Sequence, residues 1–191
     1  MSDSTVPIDD SLSHDHLPPN VDIGRQTIIS GQHSFKRFYC QQEKGLSIGD
    51  HCSMDHVQFA IGQSGRVQIG NYCYFTNAVL LCELELRIGN YVIIGWNTTI
   101  TDSDFHPLPP AQRILDAVAC SPIGKGQARP LLQQAPVIIE DDVWIGPSVT
   151  ILKGITIGAG AFIEPGSVVT HDIPPQSRVI GNPARIIGEN T

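Results

Sequence analysis

The sequence predicts an all-β fold, a solenoid of short parallel strands joined by tight corners. An aliphatic residue returns every six residues, and six consecutive hexads from position 139 begin with Ile or Val. This period differs from the 3.6-residue repeat of a helix and the two-residue alternation of a strand, and it is typical of hexapeptide solenoids. If three hexads form one triangular coil, residues 18 positions apart stack on one another. The predicted stacking pairs are Ile139 with Ile157, Ile145 with Ile163, and Ile151 with Val169. The 18 Gly and 14 Pro residues suit a chain that turns so often.

The pattern divides the chain into three parts. Residues 1–27 lack the hexad, so we expect a tail or an irregular cap there, followed by the solenoid over residues 28–174 and a closing segment over residues 175–191. Upstream coils begin at Ile48, Ile69 and Ile88. The fifth position of successive coils is expected to be small and buried, and it holds Cys52, Cys73, Val92, Val143 and Ala161. Cys52 and Cys73 are therefore interpreted as buried hydrophobic residues without a redox or metal role.

One long segment interrupts the solenoid. The coil that starts at Ile88 stops at His106, and the hexad resumes at about Val137. Residues 106–136 therefore leave the solenoid as a single excursion. Long loops inside compact folds are usually functional or disordered, and we expect this one to be functional because of the residues at its base.

Composition and charge exclude several classes of partner and site. The net charge is −7 with no long basic run, so nucleic acid and anionic membrane are poor partners. The N-terminus does not have a secretory signal pattern, and no apolar run reaches 18 residues. Five cysteines without CxxC spacing argue against a disulfide framework and a zinc ribbon. We expect a cytoplasmic protein.

The stretch VWIGPSVTILKGITIGAGAFIEPGSVVTHDIPPQSRVIGNPAR, residues 143–185, resembles the hexapeptide-repeat acyltransferases. It is most similar to the sugar O-acetyltransferases of the galactoside, maltose and polysaccharide type, and the resemblance extends over about residues 48–187. It implies a left-handed parallel β-helix with one extruded loop, assembled as a homotrimer. It also implies acetyl-CoA as the donor, bound in the cleft between neighbouring solenoids, and a small-molecule sugar as the acceptor.

Acetyl transfer to a hydroxyl group needs a base to remove the acceptor proton, and histidine is the natural base near neutral pH. His106 lies in TDSDFHP, where the chain leaves the solenoid, and the catalytic histidine of the similar family occupies a comparable place. Asp102, Asp104 and Glu83 are candidates to orient the imidazole. Glu83 is expected one coil earlier, at the same corner as Asp102. The alternative is that these carboxylates only solvate the corner.

The resemblance places acetyl-CoA along the C-terminal coils. It implies that the backbone of three small residues meets the thioester and the pantetheine arm, where small side chains permit close approach. Those residues are Gly146, Ser148 and Ala161. Trp144 would line the cleft or, alternatively, only cover a coil corner. The cations Lys153, Arg178 and Arg185 would bind the CoA phosphates or be ordinary solvated charges. No metal is expected.

Three other functions compete with this prediction. The first is N-acetylation of an amino sugar, and the second is a non-catalytic solenoid scaffold. The third is a zinc enzyme of the γ-type carbonic anhydrase class, suggested by the spacing of His51 and His56. Their hexad positions differ from those of that class, which disfavours the zinc enzyme.

Overall fold

Short strands account for nearly all regular structure in this computed structural model, which describes residues 17–124 and 126–190. In chain order the strands are β1 (Val21–Ile23), β2 (Ile28–Ser30), β3 (Leu46–Ile48), β4 (Ser53–Asp55), β5 (Gln58–Ile61), β6 (Arg66–Ile69), β7 (Tyr74–Thr76), β8 (Val79–Cys82), β9 (Glu85–Ile88), β10 (Ile93–Ile94), β11 (Thr99–Thr101), β12 (Val137–Ile139), β13 (Trp144–Ile145), β14 (Thr150–Ile151), β15 (Thr156–Ile157), β16 (Phe162–Ile163), β17 (Val168–Val169), β18 (Ser177–Gly181) and β19 (Ala184–Glu189). A helix, α1 (Pro110–Cys120), and a 3-10 turn (Pro122–Gly124) lie between β11 and β12.

The strands form three sheets, which are the three sides of a solenoid. The six-stranded sheet has the order β1-β3-β6-β9-β12-β15, and the five-stranded sheet has the order β17-β14-β11-β8-β5. The eight-stranded sheet has the order β19-β18-β16-β13-β10-β7-β4-β2. All strand pairs are parallel except β18 with β19, which form a terminal antiparallel hairpin. Each coil therefore satisfies its backbone groups through the coils above and below it.

The register confirms the stacking predicted from the hexad. Ile139 pairs with Ile157, and the two other predicted pairs are also observed. Ile88 pairs with Ile139 directly, so the chain returns from the excursion in register with the coil it left. The fifth-position residues are all buried, Cys52 and Cys73 among them, as the sequence predicts.

The core is one column of aliphatic side chains inside the three sheets. Inward and outward side chains alternate along most of the strands: in β10, Ile94 is fully buried while Ile93 is 45% exposed. Because one coil cannot cover its own inner face, burial depends on stacking several coils. The part of the chain that the structure describes contains no helix long and apolar enough to cross a membrane.

The structure contains two features that the sequence analysis did not predict. Strand β1, at Val21–Ile23, pairs with β3 inside the span assigned to a tail or an irregular cap, so coil pairing begins earlier than expected. Residues 1–16 of that span lie outside the described residues. The excursion contains α1, which the sequence did not predict because its helical segment lacks a polar N-cap residue. The helix begins at Pro110, and Pro is well tolerated in the first helical turn.

The neighbouring residues Ile93 and Ile94 offer a matched test of this core. Ile94→Ala should lower the free energy of unfolding by about 2–5 kcal/mol because it removes buried methyl groups and leaves a cavity. Ile93→Ala should change it by about 0.5 kcal/mol or less, because that side chain faces outward. Urea unfolding followed by circular dichroism measures both. Equal losses for the two variants would contradict the alternation.

Candidate active site

Asp102 stabilises the corner at which the chain leaves the solenoid. Its fully buried carboxylate accepts hydrogen bonds from the backbone N–H groups of Glu83, Leu84 and Glu85 at 2.7–2.8 Å. The Cys82 thiol donates to the same carboxylate at 3.3 Å. Burial and the Asp102 charge raise the pKa of this thiol, which keeps it protonated. Asp102 thus bonds to the backbone of its own corner, and its role in orienting His106 stays a prediction.

The two ends of the excursion are held together at its base. Ser103 and Gln134 form an antiparallel bridge. Ala135 donates its N–H to the Asp102 carbonyl at 2.9 Å, and Asp104 donates its N–H to the Gln133 carbonyl at 3.2 Å. The excursion therefore closes on itself before β12 resumes the solenoid.

Asp104 forms an ion pair with Lys153, which lies on the corner after β14. The second carboxylate oxygen of Asp104 is buried and has no hydrogen-bond partner among the described residues. In this structure Asp104 neutralises Lys153, and the roles expected of Asp104 at the imidazole and of Lys153 at a CoA phosphate stay predictions. The ion pair fixes the start of the excursion to a later coil.

His106 is oriented by a carboxylate that the sequence analysis missed. Its Nδ1 lies 2.5 Å from Oδ2 of Asp116, the only buried residue of α1. Arg129, near the other end of the excursion, donates to both carboxylate oxygens of Asp116 at 2.7 and 3.1 Å. It also donates to the Phe105 carbonyl at 2.9 Å. We call His106, Asp116 and Arg129 the excursion triad.

The charges of this triad define the protonation of the imidazole. The hydrogen bond from Arg129 lowers the pKa of Asp116 to about 2, with a further contribution from His106, while burial acts in the opposite direction. An ionised Asp116 can only accept, so Nδ1 of His106 carries the proton. In the neutral ring, Nε2 is then the basic nitrogen. The His106 side chain is 62% exposed, whereas that of Asp116 is 1% exposed.

Glu83 is the predicted carboxylate that the structure does bring close to His106. Both line one cavity of about 260 Å³, together with Arg129. Burial and the charge of Asp102 raise the pKa of Glu83, and Arg129 opposes this effect. The Glu83 carboxylate lies over Gly62, where a Cβ atom would come within 2.1 Å of Oε2. Glycine at position 62 is therefore needed for the carboxylate to lie in this cavity.

Several of the residues predicted to bind CoA lie on the exposed surface of the C-terminal coils. Trp144 is 49% exposed and stacks on Phe162, with ring centroids 4.2 Å apart. Arg178 lies over the same Phe162 ring, 5.7 Å from its centroid, and is paired with Glu164. Ser148 is exposed at a corner with φ 57°. Arg185 is exposed and makes no ion pair with any described residue.

The other two small residues have structural roles. Ala161 is fully buried in the core, and its carbonyl accepts a hydrogen bond from the Trp144 N–H, while the contact of its backbone with a cofactor stays a prediction. Gly146 donates its N–H to Ile163, and a Cβ atom at this position would lie 2.8 Å from the Pro165 nitrogen. Glycine is thus required at position 146 for coil stacking.

The two histidines of the zinc alternative lie at different corners. His51, between β3 and β4, stacks on Tyr72 with centroids 4.8 Å apart. His56, between β4 and β5, bonds to the Asp55 carboxylate at 2.7 Å. Within residues 17–124 and 126–190 there is no group of three or more side chains that could hold a metal ion.

Comparisons with known proteins agree with this architecture. Residues 136–171 match the family model described as bacterial transferase hexapeptide (six repeats). The chain is 31% identical over 140 residues to the galactoside O-acetyltransferase of Lactococcus lactis subsp. lactis, over 73% of this chain and 60% of that protein. A hexapeptide-repeat-containing acetyltransferase of Vibrio cholerae superposes with a TM-score of 0.57 at 29% identity, over 83% of this chain and 77% of that one. The chain therefore contains the hexapeptide repeat of this family model over residues 136–171, and it is similar to acetyltransferases of this type over 73–83% of its length.

Two similar solved structures contain acetyl-CoA or coenzyme A. The Vibrio cholerae protein has also been solved with acetyl-CoA. A galactoside acetyltransferase solved with coenzyme A superposes with a TM-score of 0.60 at 28% identity, over 75% of this chain and 64% of that one. The chain spans about half to three fifths of the length of the curated relatives that it matches first.

The low pKa of Asp116 predicts a loss of stability in acid. The folded value of about 2 lies below the ordinary value of 3.8, so the carboxylate stabilises the folded state above about pH 4. This contribution is lost as the pH falls from about 4 to about 2. Asp116→Asn should lower the free energy of unfolding at pH 7 and flatten its decline over that interval, as measured by urea unfolding. The exposed Asp22→Asn is the control, and an unchanged decline in Asp116→Asn would contradict the assignment.

Proposed function

We propose that the protein transfers an acetyl group from acetyl-CoA to a hydroxyl group of a sugar or a sugar-containing small molecule, with His106 as the general base. The observation that carries this proposal is the excursion triad. It holds an exposed imidazole in one tautomer, with Nδ1 bonded to a buried carboxylate. The similarity to acetyltransferases and the neighbours solved with acetyl-CoA or coenzyme A support the donor.

The triad accounts for each proton in the reaction. Nε2 of His106 accepts the proton of the acceptor hydroxyl as its oxygen attacks the thioester carbonyl. The Asp116 carboxylate stabilises the imidazolium that forms, and Arg129 keeps that carboxylate ionised. When the tetrahedral intermediate collapses, the carbon–sulfur bond breaks, and Nε2 returns the proton to the departing thiolate of CoA. The base is then neutral again.

The exposed residues of the C-terminal coils form the proposed donor site. Trp144 and Ser148 would contact the pantetheine arm. Gly146 would contribute only through its lack of a side chain, because nothing then projects from the coil at that position. Arg185 is the better candidate for a CoA phosphate, because Arg178 is already paired with Glu164. We assign this site together with a homotrimeric assembly. Exposed apolar residues of α1, Ile114 at 66% and Leu115 at 63%, favour coverage by a neighbouring subunit.

N-acetylation of an amino sugar is the second candidate, and Glu83 favours it. This carboxylate lines the same cavity as His106, where it could attract the ammonium form of an amine acceptor. The two candidates differ only in the acceptor atom. A panel of matched sugars and amino sugars distinguishes them.

The general-base assignment predicts that His106→Ala lowers kcat about 100- to 10,000-fold while the affinity for CoA is retained. Release of the CoA thiol with the acceptor panel measures the first quantity, and calorimetry measures the second. His51→Ala, which removes an exposed histidine at the corner between β3 and β4, should leave both unchanged. An unchanged kcat in His106→Ala would refute the assignment.

The same assay separates the positioning role of Asp116 from catalysis. Asp116→Asn leaves Nε2 in place but removes the charge that stabilises the imidazolium, so kcat should fall and the pH profile of kcat should shift. The KM for acetyl-CoA should not change. A parallel change of KM and kcat would instead indicate a general disturbance of the fold.

The donor site predicts a difference between two ligands. Arg185→Ala should weaken the binding of CoA about 10-fold, as expected for the loss of one charged hydrogen bond, and should weaken the binding of dephospho-CoA less. Arg178→Ala should have a smaller effect, because its guanidinium is already paired. Calorimetric titration of both ligands provides the measurement, with the exposed Arg66→Ala as the control. Equal weakening of the two ligands would exclude a contact between Arg185 and the 3′-phosphate.

A further inference from the structure

The cavity at His106 is one end of a groove that runs along β5. Three cavities of about 260, 320 and 350 Å³ lie side by side, and each shares lining residues with the next. Ala60 lines the first and second cavities, and Gln58 lines the second and third. Gly62 lines the first. These alternate residues face outward from one strand and its corner, so the groove follows β5 for about 13 Å at about 3.3 Å per residue. It is longer than one pyranose ring.

The second wall of the groove is the segment of residues 31–39, which we call the overlying segment. Phe59 donates its N–H to the Ser34 carbonyl and Tyr39 donates to the Ile61 carbonyl, both at 2.8 Å. Phe35 stacks on Phe59 with ring centroids 5.5 Å apart. These contacts attach the overlying segment to β5 along its length. The groove is therefore formed before a ligand arrives.

The charge of the groove changes along its length. The first cavity contains Glu83 and His106, with Arg129 already neutralised by Asp116. The middle cavity is lined by His33, Lys36 and Arg37 and by no carboxylate. Arg37 also lines the first cavity. Within residues 17–124 and 126–190, neither Lys36 nor Arg37 makes an ion pair.

The far cavity is polar and has no acidic or permanently basic side chain in its lining. It is lined by the amides of Gln32, Gln58 and Asn77, the Ser34 hydroxyl and two imidazoles. Such groups suit an uncharged polar fragment with donors and acceptors. The groove as a whole therefore fits a ligand that carries an anionic group between two neutral portions.

We infer that the acceptor is a phosphate ester, with its reactive hydroxyl at His106 and its phosphate held by Arg37 and Lys36. A planar guanidinium matches the geometry of a phosphate, and a lysine adds a point charge. This inference rests on the proposed function, and it deepens that function by naming the class of acceptor. It gives the overlying segment the role of acceptor recognition.

The position of the groove separates the acceptor from the donor. In the five-stranded sheet, β11 lies in the middle, with β8 and β5 on one side and β14 and β17 on the other. The groove extends from the end of β11 towards β5, whereas the residues assigned to CoA lie on the coils that follow the excursion. The two substrates would thus occupy different coils of the solenoid.

A binding experiment without acetyl-CoA tests the anion site directly. UDP and inorganic pyrophosphate are titrated calorimetrically into wild type, Arg37→Glu and Lys44→Glu. Lys44 is exposed and lines none of the three cavities, and its substitution changes the net charge equally. Arg37→Glu should weaken the binding of both ligands by about 10- to 100-fold, whereas Lys44→Glu should leave it unchanged. Absence of binding to the wild type, or equal weakening by both variants, would overturn the inference.

A kinetic experiment identifies the acceptor and tests the proposed acetyl transfer separately from the anion site. UDP-glucose, glucose 1-phosphate and methyl glucoside are compared as acceptors by thiol release. Arg37→Glu should raise the KM of the two phosphate esters by the same 10- to 100-fold, while the KM of methyl glucoside and of acetyl-CoA stays constant. A preference for UDP-glucose indicates a nucleotide sugar, and a preference for glucose 1-phosphate indicates a sugar phosphate; either supports the inference.

Failure of the two proposals is distinguishable. If no acceptor is acetylated but UDP and pyrophosphate still bind in an Arg37-dependent manner, the proposed function fails and the anion site stands. If methyl glucoside is acetylated and no phosphate ester is preferred, acetyl transfer stands and the inference fails. A rise in the KM of acetyl-CoA in Arg37→Glu would also overturn it, because the cations would then serve the donor.

Discussion

Every coil of this solenoid has to return to the same register above the coil before it. The backbone groups of a strand find partners only in the strands of the neighbouring coils, and an inward-facing isoleucine is covered only if the coils above and below place theirs at the same position. A slip of one residue would turn each buried side chain outward. The pairing of Ile88 with Ile139 shows that this requirement is met even across the excursion.

This requirement explains how the candidate site is built. Because the solenoid itself can hold few polar groups in fixed positions, chemistry is added where the chain departs from it. Asp102 accepts hydrogen bonds from the backbone N–H groups of the corner. The ion pair between Asp104 and Lys153 fixes the first residues of the departing chain. The imidazole that follows is then held by Asp116 and Arg129, which come from the excursion itself. Rigid coils position the site, and the excursion supplies its functional groups.

The features that repeat could be predicted from the sequence. The hexad predicts the stacking of Ile139 on Ile157, the burial of Cys52 and Cys73, and the point at which the chain leaves the coils. Each of these follows from one local rule applied many times. His106 is prominent because it directly follows the last regular hexad before the excursion.

The contacts of the site do not repeat, and so the same rules missed them. Asp116 is the only acidic residue in residues 106–136, and it lies within an apolar cluster of α1. That isolated carboxylate was a signal, but its partner His106 is ten positions away and Arg129 is thirteen away, at no common period. Ala161 was ambiguous in the sequence because a small residue is required equally by a buried corner and by a close approach of a ligand. The structure shows that its side chain lies in the core.

The bridge between Ser103 and Gln134 closes the base of the excursion before the coils resume. Its length and composition are thereby uncoupled from the solenoid. Substitutions, insertions or deletions between the two bridged residues need not propagate into the stacked strands. This arrangement allows the region around the imidazole to change while the stacked coils keep their register.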